Sequence, residues 1–282
     1  MSGFSINTNS AAQIALQNLT TTQSRLQQVQ SVMTTGLKVA NAKDDGAVYA
    51  IATRQRSDVA SLGTLKTGLG RAKSVTDTAM TAGESLEDLL SEMKQKALAA
   101  SDTSLDTASR GDLANDFVQL FIQYDRTTQA AQFNGINLLE GQALKVPASL
   151  DGGTITVAPV DMALGGFGGL LSNTAIGSTT TIAVRFTTAS EAATWSTSLD
   201  AAIDQAGQRL AALGTASKML DNQTGLLDHL SDAMTAGIGN LVDADMASES
   251  AALQSLQTKE QLGVQALSIA NQAPGAVLSL FR

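Results

Sequence analysis

Apolar residues recur at alternating spacings of three and four along most of this 282-residue chain. The longest unbroken series is Leu62, Leu65, Leu69, Ala72, Thr76, Ala79, Gly83, Leu86, Leu90, Met93, Ala97 and Ala100, with no proline inside it. That heptad period predicts one helix about 60 Å long, with a stripe that needs a partner. A second series, Leu199, Ile203, Ala206, Leu210, Leu213, Leu220, Leu227, Met234 and Ile238, keeps the same spacing, with Ser217, Thr224 and Ser231 as polar interruptions. A third, Leu113, Phe117, Leu120, Tyr124 and Ala131, is shorter and carries the bulky aromatics. Three facing seams predict an elongated antiparallel helical bundle whose rod core holds the large residues of all three.

The outer ends carry weaker seams. Ala12, Ala15, Leu19, Leu26, Val29 and Met33 form one, and Val242, Met246, Leu253, Leu256, Gly263, Leu267 and Ala270 form the other, broken by Glu249 and Glu260. Their flanks are Gln, Ser and Thr, so salt bridges would not fix this pairing. The last stretch, "SIANQAPGAVLSLFR", ends on Val277, Leu278, Leu280 and Phe281, where a free end is normally polar.

Between the helical regions lies a Gly/Thr/β-branched island at about 134–190. Asn134-Gly135 in "FNGINLL" is a hairpin-turn signal. "GTITVAPV" and "TTTIAVRFTT" alternate as strands, the second with Ile182, Val184 and Phe186 on one face, and "LGGFGGLLSN" between them reads as a flexible connection. The island is too small for an independent core, so it is expected to be an appendage, dispensable between about residues 148 and 188. The fold class is therefore mainly α with a small β-rich central appendage.

Composition narrows the function. Aromatics are 4% of the chain, which favours thin seams over a deep core. The net charge of −8, with no run of Lys or Arg, argues against nucleic acid and anionic membranes as partners. Cysteine is absent, which removes disulfides and thiolate metal sites. No apolar run reaches membrane-spanning length, and the first residues lack the basic and apolar regions of a conventional signal peptide.

No candidate chemistry survives inspection. The single His229 lies among Leu226, Leu227 and Leu230 with no nucleophile or orienting group beside it. "GGFGG" lacks the Lys-Ser/Thr of a phosphate loop and reads as a linker. Asp44 or Asp45 in "AKDDGAVYAIA", and Asp243, Asp245 and Glu249 in "VDADMASES", read as helix starts. Ser178–Thr181, Thr187 and Thr188 are hydroxyl-rich positions, which leaves glycosylation open. Neither enzymatic activity, a cofactor nor a metal is expected.

"SINTNSAAQIALQNL", "TTGLKVANAKDDGAVYAIATR", "QFNGINLL" and "VDADMASESAALQSLQTKEQLGVQALSIANQAPGAVLSLFR" resemble bacterial flagellin, in that family's order, over about residues 1–141 and 190–282. "AKDDGAV" and the ending "LFR" resemble the short flagellins of alphaproteobacteria. The resemblance implies a filament subunit, exported unfolded by a type III apparatus, escorted by a flagellin chaperone, and polymerised under a filament cap beyond hook-filament junction proteins. It implies an inner coiled-coil domain from 1–43 and 239–282, a helical rod from 44–141 and 190–238, and a reduced outer segment, 142–189. Ile6, Ile14, Leu16, Leu19, Leu26, Val29, Met33, Leu253, Leu256, Leu267, Leu278, Leu280 and Phe281 would then be buried between subunits.

Two neighbouring readings are a hook-filament junction protein and a flagellin-like surface protein that binds polysaccharide. For the second, the island offers only Arg185, Phe186 and the nearby Trp195. The resemblance also implies a site for the vertebrate toll-like receptor that detects flagellin. Detected members carry a motif similar to "LQRVRELAVQ", where this chain has "LSEMKQKALA". Glu92 stands at the first Arg position, Lys94 at the second, Lys96 at the Leu, and Asp116 keeps the later acidic position, so weak detection is expected.

Overall fold

The structure, a computed structural model, describes residues 9–163, Phe167 and 186–279, with side chains in the last helix described as far as residue 272. Ile6, Leu280, Phe281, Ile182, Val184, Arg185 and Ser178–Thr181 lie outside the described residues, as does the side chain of Leu278. Five helices dominate the described residues: α1 Ser10–Thr35, α2 Gly46–Ala100, α3 Thr107–Ala130, α4 Ala189–Val242 and α5 Met246–Ser279. Among the described residues between α3 and α4 are a 3-10 turn, Leu138–Glu140, and two strands, β1 Leu144–Pro147 and β2 Thr154–Val157.

Helix starts follow local chemistry. Asn9 accepts from the Ala12 N–H at 3.1 Å, and Asp45 Oδ1 accepts from Ala47 and Val48, both at 3.0 Å. Asp106 accepts from Ser109 at 2.6 Å, and Asp245 accepts from Ala247 at 3.0 Å. At α4, Thr188 Oγ1 accepts from Glu191 N while the Glu191 carboxylate accepts from the amides of Thr187 and Thr188, a reciprocal capping box. "AKDDGAV" and "VDADMAS" are thus helix starts, with Asp44 turned back onto the amides of Ala40 and Asn41.

The chain divides into two compact units, one of Met1–Val59 with Asp232–Arg282, the other of Ala60–Ser231. In the second, every member of the Leu62–Ala100 series is buried except Leu65, which is half-buried. Thr76, the polar member, donates its hydroxyl to Ala72 O at 3.0 Å. From α4, Leu199, Ala206, Leu213, Leu220 and Leu227 are buried, while Ile203 and Leu210 are half-buried. From α3, Phe117, Phe121 and Tyr124 have no exposure, whereas Leu120 is only half-buried. Phe117 meets Phe186 edge-on at 5.3 Å and Trp195 at 5.5 Å between ring centroids. Arg110 closes the α2–α3 turn, donating to the carbonyls of Ala100 (3.0 Å), Asp102 (2.9 Å) and Leu105 (3.2 Å).

The central segment is more than an appendage. Asn134 (φ 52°) and Gly135 (φ 80°) form the expected tight turn, with Phe133 and Ile136 bridged across it. β1 and β2 pair antiparallel, Leu144 with Val157 and Val146 with Ile155, and Leu144, Val146 and Val157 are buried. Gln223 of α4 donates to Ala148 O at 2.7 Å, which holds this hairpin on the helices. Val160, Met162, Phe167 and Phe186 are all buried, and Tyr124 Oη donates to Met162 O at 2.7 Å. Burial pushes the Tyr124 hydroxyl far above the ordinary phenol range. Excision of 148–188 would therefore remove core, and the expectation that this whole stretch is dispensable is corrected. The reading of "GGFGG" as a plain linker fails at Phe167, whose ring lies 4.6 Å from the Arg209 guanidinium. The strand expected at 179–188 is not seen at its described residues, Phe186 being buried without strand pairing.

In the first unit, α1 packs along α5. Val39, Ala52, Ile238 and Val242 form a small cluster, flanked by Leu37, Val48, Tyr49, Val59 and Leu241. Leu37 and Asp243 form a β-bridge, with Lys38 N donating to Val242 O at 2.8 Å and Ala244 N to Gly36 O at 2.9 Å. Gly36 ends α1 at φ 73°, a conformation that costs glycine little.

Candidate functional site

The residues weighed for chemistry stay apart. His229 is exposed, and no set of three or more His, Asp or Glu among the described residues is placed to hold a metal. No described helix is long and apolar enough to cross a membrane. What the molecule does present is aliphatic surface on its outer helices.

α1 and α5 touch along a thin line. Of α1 only Leu19 is buried, set against Gly263, where an added methyl would lie 3.1 Å from Leu19 Cδ1. Leu26, Val29 and Met33 are half-buried, as are Leu253, Leu256 and Leu267 on α5. Polar links are sparse: Asn9 Nδ2 donates to Ala270 O at 2.7 Å, and Gln23 donates to Glu260 at 3.2 Å. The remaining aliphatic groups face solvent, with Ile14 60%, Leu16 53%, Leu262 57%, Val264 53% and Ile269 70% exposed. So many unburied branched side chains on two helices leave apolar surface that has no partner among the described residues.

Leu262, Val264 and Ile269 lie off the Val242–Ala270 seam, so the heptad series does not pick them out. A signal existed: a helix apolar on more than one face has more than one neighbour. Of the positions compared with the receptor motif, Glu92 is exposed, and Lys96 is ion-paired to Asp116 at 2.7 Å, with Lys94 paired to Asp200.

Long helices with capped starts, a thin terminal seam and unsatisfied aliphatic faces define a structural assembly subunit. The family model for the bacterial flagellin N-terminal helical region matches residues 6–143, and that for the C-terminal helical region matches residues 197–281. Over 280 residues the chain is 48% identical to Flagellin FljM and 49% identical to Flagellin FljK of Caulobacter vibrioides, in each case covering 99% of this chain and 98% of the relative. It is 34% identical over 290 residues to a flagellin of Brucella melitensis, with 99% of both chains covered. The chain belongs to the bacterial flagellin family, and it is a structural subunit of the flagellar filament.

Proposed function

We propose that the chain polymerises through α1 and α5, with residues 1–43 and 239–282 as the inner coiled-coil layer. On this reading 44–141 with 190–238 form the surrounding rod and 142–189 the outer segment. The observation that carries the proposal is the exposure of Ile14, Leu16, Leu262, Val264 and Ile269 on helices that share so thin a seam. Leu278, Leu280 and Phe281 extend the same apolar character to the end of the chain. The subunit is exported unfolded to the cell exterior, with a chaperone on its C-terminal helices, and adds beneath a cap beyond the junction proteins. A chain without cysteine suits that route, because nothing cross-links it before assembly.

The test is Ile14→Ser combined with Ile269→Ser, with polymerisation nucleated by filament fragments. Burial of each side chain in the polymer contributes about 1.5–3 kcal/mol. The pair should raise the critical concentration about a hundredfold or more, with monomer melting unchanged. An unchanged critical concentration at full helix content would place the interface elsewhere.

A second reading follows from the Lys96–Asp116 ion pair, which occupies both charges at positions matching the receptor contact. Together with Glu92 it supports weak detection by the toll-like receptor. Reporter cells given endotoxin-free monomer should respond feebly, and Glu92→Arg with Lys96→Leu should strengthen the response. Potent signalling by the natural chain would refute this reading.

A further inference from the structure

The three ion pairs that join α2 to α4 share one register. Lys66 pairs with Asp228, Lys73 with Asp221 and Lys94 with Asp200. The lysines are seven and twenty-one residues apart, and the aspartates retreat along α4 by the same intervals. Ser217 Oγ and Asp77 Oδ1, 3.3 Å apart, belong to that register too. Every lysine is on α2 and every carboxylate of these pairs on α4. The intervening rungs set Met80 opposite Gly214 and Glu87 opposite Gly207, with no charge on the α4 side. Beside the ladder sits a steric feature: a methyl at Gly83 would lie 2.5 Å from Leu210 Cδ2 and 3.4 Å from Met162 Sδ. Leu210 therefore fills a space that only glycine leaves open.

We infer that the one-signed Lys–Asp ladder and the Gly83–Leu210 socket act together as a register key, selecting one alignment of α2 against α4. The need arises from the seams themselves. An apolar stripe with a seven-residue period is nearly indifferent to a slip of seven residues, because aliphatic positions still meet aliphatic positions. The key is not indifferent. A slip in one direction breaks all three pairs, forms only Lys73–Asp228 in their place and drives Leu210 against Leu90. In the other direction only a Lys66–Asp221 pair forms, Glu87 meets Asp200, and Leu210 meets Thr76. An exposed ion pair contributes little alone, yet a net loss of two and gain of a like-charge contact act in the same sense.

The absence of cysteine permits a direct test on the full chain as monomer. Spin labels on Ser85→Cys and Asn222→Cys, both exposed, report α2–α4 alignment by electron paramagnetic resonance distances. After refolding from denaturant, the natural sequence should give one distance. A variant with Lys66→Gln, Lys73→Gln, Lys94→Gln and Leu210→Ala should add a second population, reflecting an axial shift of about 10 Å for seven helical residues. A single unshifted distance in that variant overturns the inference. Should it fail to fold, reversal decides. The three lysines changed to aspartate should disturb the distance, and adding Asp200→Lys, Asp221→Lys and Asp228→Lys should restore it. Equal distances in the two reversal variants would overturn the inference as well.

Discussion

The Ala60–Ser231 unit and the α1/α5 pair are both helical, yet they secure their helices by opposite means. The first buries Phe117, Phe121 and Tyr124 completely, holds Met162 through a phenol hydrogen bond, and braces α2 against α4 with three ion pairs. In the second, only Leu19 of α1 is buried, and the described residues of α1 and α5 show no ion pair between them. Apolar content is available in both. The difference lies in where it points: inward in one unit, and largely outward in the other. The Ala60–Ser231 unit thus carries a full core of its own, while α1 and α5 leave most of their aliphatic side chains unburied.

Hydrogen exchange on dilute monomer should expose the contrast most sharply. Amides around Leu90 and Phe121 should exchange at least about a thousandfold more slowly than those of α1 and α5, and limited proteolysis should trim the ends first. Equal protection would break the comparison. Next in size, Phe117→Ala should destabilise the Ala60–Ser231 unit by about 3–5 kcal/mol, with a change in emission from the neighbouring Trp195. Leu19→Ala should leave that unit's melting unaltered.

The central segment contributes to the core of its unit. Replacement of 158–186 by a Gly/Ser stretch of equal length removes Val160, Met162, Phe167 and Phe186, and should abolish the cooperative transition. Retention of that transition would show that these side chains are dispensable.

The smallest effect is on pH. Backbone amide donors hold the Asp102, Asp106 and Glu191 carboxyls below their ordinary ranges: Ser104 for the first, Ser109 for the second, Thr187 and then Thr188 for the third. A depressed carboxyl stabilises the fold above its unfolded pKa, and that contribution is lost as pH falls through its lower folded value. Melting of the Ala60–Ser231 unit should therefore decline as pH drops below about 4. The start of α1, capped by the amide Asn9, lacks this dependence. Asp106→Asn should flatten the decline, and an unaltered profile would remove the cap from the account.

The helices were legible because their signals are local. A heptad stripe is a property of consecutive residues, and Asp45, Asp106 and Asp245 cap helices that begin at the next residue. Tertiary choices were less legible. On α3 the stripe Phe117, Phe121, Tyr124 and Thr128 is buried, where the three-four series predicts Leu120 in place of Phe121. Both fit a three-four spacing, and only the position of α3 against its neighbours decides between them. β1, "LKVP", is short and charged, and it becomes a strand because Val157 and Ile155 pair with it. The Met162 carbonyl accepts from a hydroxyl thirty-eight residues earlier, a contact that no local pattern encodes. The exposed aliphatic faces of α1 and α5 were half legible: the seam is periodic, and the apolar positions left over by it are the ones that face solvent.

The bridge between Leu37 and Asp243 fastens chain segments some two hundred residues apart using main-chain atoms alone. Such a fastening is blind to side-chain identity. Positions 38 and 244 can therefore change side chain and keep these two main-chain bonds, whereas Leu37 also packs on the Val39–Val242 cluster and Lys38 Nζ adds a donation to Asn240 O at 3.2 Å. Proline is the one forbidden letter at 38 and 244, because it deletes the donor to Val242 O or to Gly36 O. A mutational scan at 244 would read as tolerance interrupted by a single residue type, and at 37 as a demand for an apolar side chain.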